Sequence, residues 1–275
     1  MICLVMVSRK TNKRKTHLLI LPVMCLWLIA SPLRYVGAQE HKPASYLDFG
    51  AGFFQVKDGK NYGLVFNGGM LNTSYMLRGH HGNHLNDYRV DFGFGPSFAK
   101  GIAGINFKLN PVNIDYLFRL AGNSSFKLYL GPYLGLNYQF QLYPELQSGH
   151  LHWFTFYDLG PRLILEADPW GQHFRFSFAA AVLGLVSRPV EMNEVYYYSL
   201  KFSDIIGKLH SNFNLGSVNV MNHIDFETEW KIPGSLKSSL AYRLEYLYYS
   251  PQASLDYLSH TISYRMKLGT KKSAQ

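Results

Sequence analysis

The sequence predicts an all-β chain closed as an antiparallel, membrane-crossing up-and-down barrel of about ten strands. Long runs of dyad alternation, their recurrence along the chain and a leader that precedes them lead to this fold class. The clearest run is Leu128 to Leu142. Leu128, Leu130, Leu134, Leu136, Tyr138, Phe140 and Leu142 take even positions, while Tyr129, Gly131, Tyr133, Gly135, Asn137, Gln139 and Gln141 take odd ones. Successive side chains point to opposite faces of a strand, so this run has one apolar and one polar face. About ten such residues, tilted, cross a bilayer. On a helix an i, i+2, i+4 apolar set would spiral around the whole circumference, which excludes an amphipathic helix. A soluble β-sandwich also alternates, but its strands average about 5–6 residues, whereas several runs here reach about 15.

The leader comes first in the chain. Arg9, Lys10, Lys13, Arg14 and Lys15 precede an apolar stretch from Leu18 to Ala30, and Gly37-Ala38 offers small residues for cleavage before Gln39. This is the pattern of a secretory signal peptide over residues 1–38, leaving 39–275 as the barrel. An apolar stretch this short falls below the roughly 20 residues of a spanning helix, and Met24 stands where a lipoprotein signal ending at Cys25 would want a small residue. Cleavage removes Cys3 and Cys25, the only two cysteines, so disulfide scaffolding and thiol chemistry are excluded from the mature chain. It also removes six cations and no acids, leaving 21 cations against 18 acids, a net of +3 that gives no reason to invoke nucleic acid. The mean hydropathy of −0.08 excludes a helical membrane bundle, while a barrel with a polar lumen has ordinary average hydropathy.

The elements follow in order. Leu47, Phe49, Ala51 and Phe53 alternate with Tyr46, Asp48, Gly50 and Gly52, and Lys57 to Asn61 supplies a turn. A second strand runs from about Tyr62 to Leu77, and a turn rich in His and Gly is expected at Gly79 to His84. Tyr88, Val90, Phe92 and Phe94 alternate with Arg89, Asp91, Gly93 and Gly95. From Gly101 to Leu120 the apolar parity flips, from Ala103, Ile105, Phe107 and Leu109 to Val112, Ile114, Tyr116, Phe118 and Leu120. The flip falls at Asn110-Pro111, and proline in a sheet belongs at a bulge, an edge or a turn, so this is one bulged strand or two short ones.

After the turn Gly122 to Ser125 and the opening run, Trp153, Tyr157, Leu159, Leu163 and Leu165 carry the next apolar face, and Asp168 to Gly171 turns the chain. Phe174, Phe176, Phe178, Ala180 and Val182 form the following face. Alternation is lost from about Pro189 to Leu215, which reads as the longest loop, with a short helical turn possible in Ser203 to His210. Val218, Val220, Ile224, Phe226, Trp230 and Ile232 resume an even face, Pro233 to Ser235 turns, and Leu236, Leu240, Tyr242, Leu244, Tyr246 and Tyr248 follow. Leu258, Ile262, Tyr264, Met266 and Leu268 close the chain. With both termini periplasmic, the three tight turns at 122–125, 168–171 and 233–235 lie on the periplasmic side and the 189–215 loop faces outward. Trp170 and Trp230 then mark the inner girdle, with Tyr138, Phe140, Trp153, Tyr246 and Tyr248 at the outer one. Ten strands satisfy this arrangement; twelve result if both ambiguous regions split.

Leader, cysteine-free mature chain, alternating strands, aromatic girdles and a chain that ends almost at its last strand, His260 to Leu268, together resemble the small outer-membrane β-barrel proteins of Gram-negative bacteria. The resemblance spans nearly the whole mature chain and is architectural. It implies residence in the outer membrane, contact with outer-membrane lipid and with the outer-membrane assembly machinery, and no particular activity. The polar tail Thr270 to Gln275 departs from the terminal aromatic of the commonest assembly signal.

The inward face predicts a network of ion pairs and hydrogen bonds formed by Arg89, Asp91, Asp158, Arg162, Glu166, Arg175, Asp225, Glu227, Glu229, Arg243, Glu245 and Arg265, with Asp87, Lys231 and Lys267 on the same face. A barrel of about eight to ten strands is nearly filled by its own side chains, so such a network is expected ahead of a selectivity filter or a wide pore. Some small barrels of the resembling group act on lipids through Ser and His on the outer wall. No His-x-Ser occurs here; His260 is the one histidine on a predicted lipid face, near Tyr246 and Tyr248 and away from Ser238. His80, His81 and His84 have metal-like spacing, but only Asp87 is near, and a solvated turn is favoured. His150 and His152 flank a strand start. No cofactor is implied. The expected role is a non-enzymatic outer-membrane protein, structural, channel-like for small solutes or ligand-binding, with the 189–215 loop as the surface for an external ligand or partner; the alternative is an outer-leaflet lipid hydrolase of phospholipase or lipid A deacylase type.

Overall fold

The structure, a computed structural model, describes residues 43–144, 150–189, 207–235 and 237–269. The leader at 1–38, the tail from Thr270 and most of the 189–215 loop lie outside the described residues. Twelve strands build the barrel: β1 (Ala44–Asp58), β2 (Val65–His81), β3 (His84–Ala99), β4 (Ile102–Gly122), β5 (Phe126–Tyr143), β6 (His150–Ala167), β7 (Phe174–Ala180), β8 (Leu183–Ser187), β9 (Asn214–Ser217), β10 (Met221–Lys231), β11 (Ser238–Tyr249) and β12 (Leu255–Leu268). All pairings are antiparallel; most join neighbours in the chain, β6–β8 and β7–β10 do not, and β1 closes the ring on β12 from Ser45↔Leu268 to Asp58↔Leu255.

Twelve strands occupy ten wall positions. β6 pairs with β7 through Arg162↔Ala179 and with β8 through Leu159↔Leu183, so β7 and β8 lie end to end. Between those pairs the register slips by one residue, the signature of a bulge, and both Val182 and Leu183 face outward. On the other flank β7 pairs with β10 and β8 with β9, and the turn between β9 and β10 is extruded at 218–220. Here the structure corrects the sequence reading. Val218 and Val220 lie in a turn closed by Val220 N–H donating to Ser217 O, and Asn214 and Leu215 belong to β9, outside the loop. Alternation in the sequence ran on across a break that only the partner strands define.

The Asn110-Pro111 region stays one strand. β4 shifts register against β5 between Leu109 and Val112, and β3 shifts against β4 between Arg89 and Asp91. Proline supplies no ladder N–H, and its carbonyl accepts instead from the Tyr88 hydroxyl at 3.1 Å. The bulge keeps Ile105 and Leu109 outside together with Tyr116 and Phe118 although their parities differ.

The turn expected at Gly79 to His84 narrows to Gly82-Asn83. Gly79, His80 and His81 end β2, His84 starts β3, and Gly82 takes a left-handed φ of 57°. These histidines stand on the strand ends beside the turn, His80 and His81 exposed: His80 lies against the Tyr129 ring, while the half-buried His84 stacks on Tyr116 and meets the edge of Phe118. At 123–125, the Asn123 side chain accepts from Ser125 N–H at 2.7 Å and Phe126 N–H at 3.0 Å, an Asx turn.

We call the end bearing Ala44 and Leu268 the base and the opposite end the mouth. Phe49, Phe53, Leu71, Phe94, Phe178 and Ile262 are among the large apolar side chains that stand on the outside. Among the described residues no helix is long and apolar enough to cross a membrane; this wall crosses with strands. Inside, Leu85, Leu117, Tyr129 and Ile164 cluster toward the base. Phe54, Val56, Phe66, Met70, Tyr143, Phe154, Phe156, Tyr249 and Tyr257 fill the lumen toward the mouth. Polar groups occupy the layer between.

Candidate functional site: an ion-paired lumen and a pocketed mouth

The site is built by strand register. Asp48 of β1 lies directly across from Arg265 of β12, Arg78 of β2 across from Asp87 of β3, and Glu166 of β6 across from Arg175 of β7. Opposite charges at facing positions on the inner face form the unit from which the network grows.

Arg265 is its hub and is fully buried. Its Nε donates to Asp48 Oδ1 at 2.9 Å and Nη2 to Asp48 Oδ2 at 2.8 Å, while Nη1 reaches Glu229 Oε2 at 2.5 Å and Nη2 lies 2.9 Å from Glu227 Oε1. From Glu227 the chain of pairs runs through Arg89 to Asp91, then to Arg243 Nη1 at 2.7 Å, Asp225 at 2.6 Å from Arg243 Nε, and Arg162 at 3.0 Å from Asp225. Arg162 also meets Asp115 at 3.2 Å. From Glu229 it runs through Arg78 to Asp87 at 3.3 Å, then Arg175 at 2.5 Å and Glu166 at 3.8 Å. The planar guanidinium fork suits such shared pairing.

Ten of the twelve predicted network residues therefore belong to one connected belt. Asp48, Arg78, Asp87 and Asp115 complete it, of which the sequence reading had placed only Asp87 on the inner face. Asp158 and Glu245 stand in a second cluster above it. His223 Nδ1 lies 2.6 Å from Asp158 Oδ2 and its Nε2 3.4 Å from Glu245 Oε1; Lys108 pairs with Glu245, and the Tyr133 hydroxyl donates to Asp158 Oδ2 at 2.8 Å. A Cβ at Gly135 would collide with the Asp158 carboxylate, so glycine is what lets that group sit against the wall. Lys231 and Lys267, read as inward, are exposed at the base rim.

A third polar group, which the sequence reading missed, lies toward the mouth. His152 Nε2 is 3.0 Å from Asp58 Oδ2, and Arg188 Nη2 donates to Asp58 Oδ1 at 3.0 Å. Inward parity placed His152 on the polar face; its partner, 94 residues away, carried no local signal.

The outer wall differs from expectation in two places. Trp153 faces outward but is covered, because Gly207–Phe213 lies over β5 and β6 there. Leu209 packs with Leu151 and Trp153, and His210 sits between the Tyr138 hydroxyl, 2.7 Å from Nε2, and the Tyr157 hydroxyl, 3.2 Å from Nδ1. Burial draws the His210 imidazole below its ordinary pKa. His260 bonds the Tyr242 hydroxyl at 2.7 Å, on the base side, while Ser238 Oγ bonds the Tyr264 hydroxyl at 2.5 Å. Among the described residues no group of three potential ligands could hold a metal ion.

A closed antiparallel barrel with an apolar outer wall and a charged interior satisfies every backbone group within the bilayer and is an outer-membrane barrel. In sequence, no family model and no curated protein matches the chain. Solved structures are similar in fold. Neisserial surface protein A is 10% identical with a TM-score of 0.37, over 82% of this chain and 97% of that one. The translocator domain of the autotransporter NalP from Neisseria meningitidis is 7% identical with a TM-score of 0.40, over 90% and 96%. The outer membrane protease OmpT from Escherichia coli is also 7% identical with a TM-score of 0.40, over 82% and 96%. The likeness extends to the barrel and to nothing finer.

Proposed function

We propose that this chain is exported by a cleaved leader and works as a non-enzymatic outer-membrane barrel whose lumen is closed to all but the smallest solutes, its role lying in ligand or partner contacts at the cell-surface mouth. The observation that carries the reading is the filled lumen: a belt of six arginines and eight carboxylates among the described residues, with an apolar layer on either side. A paired charge belt of this kind is a poor water path, because most of its groups already spend hydrogen bonds on another side chain. Planar-bilayer recording of refolded protein tests it. The expected trace is flat or shows only brief, small events; stable nanosiemens-scale steps would overturn a closed lumen.

The non-enzymatic part draws support from the engagement of His260 by Tyr242 and of Ser238 by Tyr264, which leaves this histidine without a serine nucleophile. Residues Pro189 to Leu215 were expected to form the contact surface. Of these residues, the described ones line the mouth pocket beside Arg188 and cover β5 and β6, while 190–206 lie outside the described residues. The leader reading predicts that outer-membrane material has an intact mass beginning near Gln39, and a mature species retaining Cys25 would contradict it.

A further inference from the structure

Four segments of the mouth converge on one cavity. Lys60 follows β1, Val186 lies in β8 and Arg188 just past it, Asn212 to Asn214 lead into β9, and Tyr249 ends β11 with Pro251 and Gln252 just past it; together they line about 260 Å³. Among the described residues the lining contains two cations and no carboxylate: Arg188 pairs with Asp58 behind the wall, and Lys60 Nζ donates to Pro189 O at 2.8 Å and to Gln252 Oε1 at 2.6 Å, both neutral acceptors. It also offers apolar surfaces from Phe213, Tyr249 and Pro251, and side-chain amides from Asn212, Asn214 and Gln252.

Arg188 is the informative residue. Its side chain is 4% exposed, Nη2 donates to Asp58 and Nη1 to Ala253 O at 2.8 Å, and the guanidinium lies 5.6 Å from the Tyr249 ring centroid. Among the described residues its buried Nε has no hydrogen-bond partner. A buried N–H without an acceptor carries an uncompensated desolvation cost, and burial draws the pKa of this guanidinium down even beside Asp58. An incoming acceptor would relieve both.

A second observation is independent of charge. Asn212 and Gln252, both in the lining, hold left-handed φ values of 56° and 66°. Non-glycine residues kept in that region cost free energy and gather at ligand-binding sites.

We propose that this cavity binds a small organic anion of monosaccharide size, a sugar phosphate or sugar acid, with its anionic group at Arg188 and Lys60 and its ring against Phe213 and Pro251. The volume is at the small end for ligand pockets, which excludes an oligosaccharide or an extended lipid as the buried part. Guanidinium with ammonium suits phosphate or carboxylate, and a ring face suits the flat side of a pyranose. The proposal deepens the reading of the mouth as the surface-facing, ligand-binding end and rests on it.

Calorimetric titration of refolded barrel in detergent micelles tests the pocket, with glucose 6-phosphate, glucuronic acid, glucose and inorganic phosphate as probes. At least one anionic sugar is expected to bind tenfold or more tightly than glucose and than inorganic phosphate, and the winning arm separates phosphate from carboxylate. Arg188→Gln should lower that affinity at least tenfold. Because Arg188 also holds Asp58, Asn212→Asp supplies a second variant: the residue is exposed, aspartate tolerates its φ, and the added negative charge should lower anion affinity at least tenfold with the barrel folded. Equal binding of glucose and the anionic sugars, no binding of either anionic sugar, equal binding of inorganic phosphate, or an unchanged Asn212→Asp affinity would each overturn the proposal. Orientation is tested apart from it, by labelling Lys57→Cys with a membrane-impermeant maleimide on intact cells. Failure there would remove the surface role and leave the micelle result standing.

Discussion

Arg265→Met is expected to destabilise the folded barrel by about 3–5 kcal/mol, read as a fall in the urea midpoint of a folding titration in lipid vesicles. The substitution keeps most of the length and apolar stem and deletes the charge. Three carboxylates, Asp48, Glu227 and Glu229, then share the centre of the lumen without their common partner. Each has taken the desolvation cost of burial against the attraction of this guanidinium, and Arg78 and Arg89 compensate only part of the loss. Lys267→Met, two residues along the same inner face but exposed at the rim, is the control and should stay within about 0.5 kcal/mol. Adding Asp48→Asn to Arg265→Met should recover part of the loss, because it removes one of the stranded charges. A loss below about 1 kcal/mol for the single variant would mean that water enters the belt freely, and with it the argument for a closed lumen would fall.

That hub shows where sequence reasoning reached and where it stopped. Parity along a strand is a local property, so the facing of Arg265, Glu227 and Glu229 could be read from their neighbours, and the parity flip at Asn110-Pro111 located a bulge. Register is not local. Asp48 and Arg265 are 217 positions apart and meet only because the first and last strands close the ring. Asp48 stood on the polar side of β1 beside Gly50 and Gly52, but nothing in those neighbours pointed to Arg265 as its partner. Gly50 and Gly52 are small for a steric reason: a Cβ at either would run into the β12 backbone, at Ile262 O and His260 O. The mouth was harder still. Its pocket is assembled from segment ends whose side chains have no periodicity, and Asp58 finds Arg188 across 130 positions.

Facing is the other property that parity promises, and it can be tested where the structure is least ambiguous. Leu136 and Asn137 would be the natural pair from the opening run, but Leu136 is covered at 6% exposure, and Asn137 is packed at 3.3 Å from Asp158. Leu71 and Ile262 are better. Both register with Ala51, so they stand at one height on the wall near the middle of their strands, and they are 58% and 64% exposed. In a water-soluble protein an arginine at so open a position would change stability by no more than about 0.5 kcal/mol. On the lipid face near the bilayer midplane it should cost about 2–4 kcal/mol at either site. The two environments thus predict different outcomes for the same substitution, whatever the protein does. Folding titrations of Leu71→Arg and Ile262→Arg in vesicles should show the larger cost, and the same variants in detergent micelles, where the head group can reach water, should show much less. Near-neutral effects in vesicles would place these side chains in water and remove the membrane from the argument, because no other arrangement of a closed barrel leaves so apolar a wall without a solvent to match it.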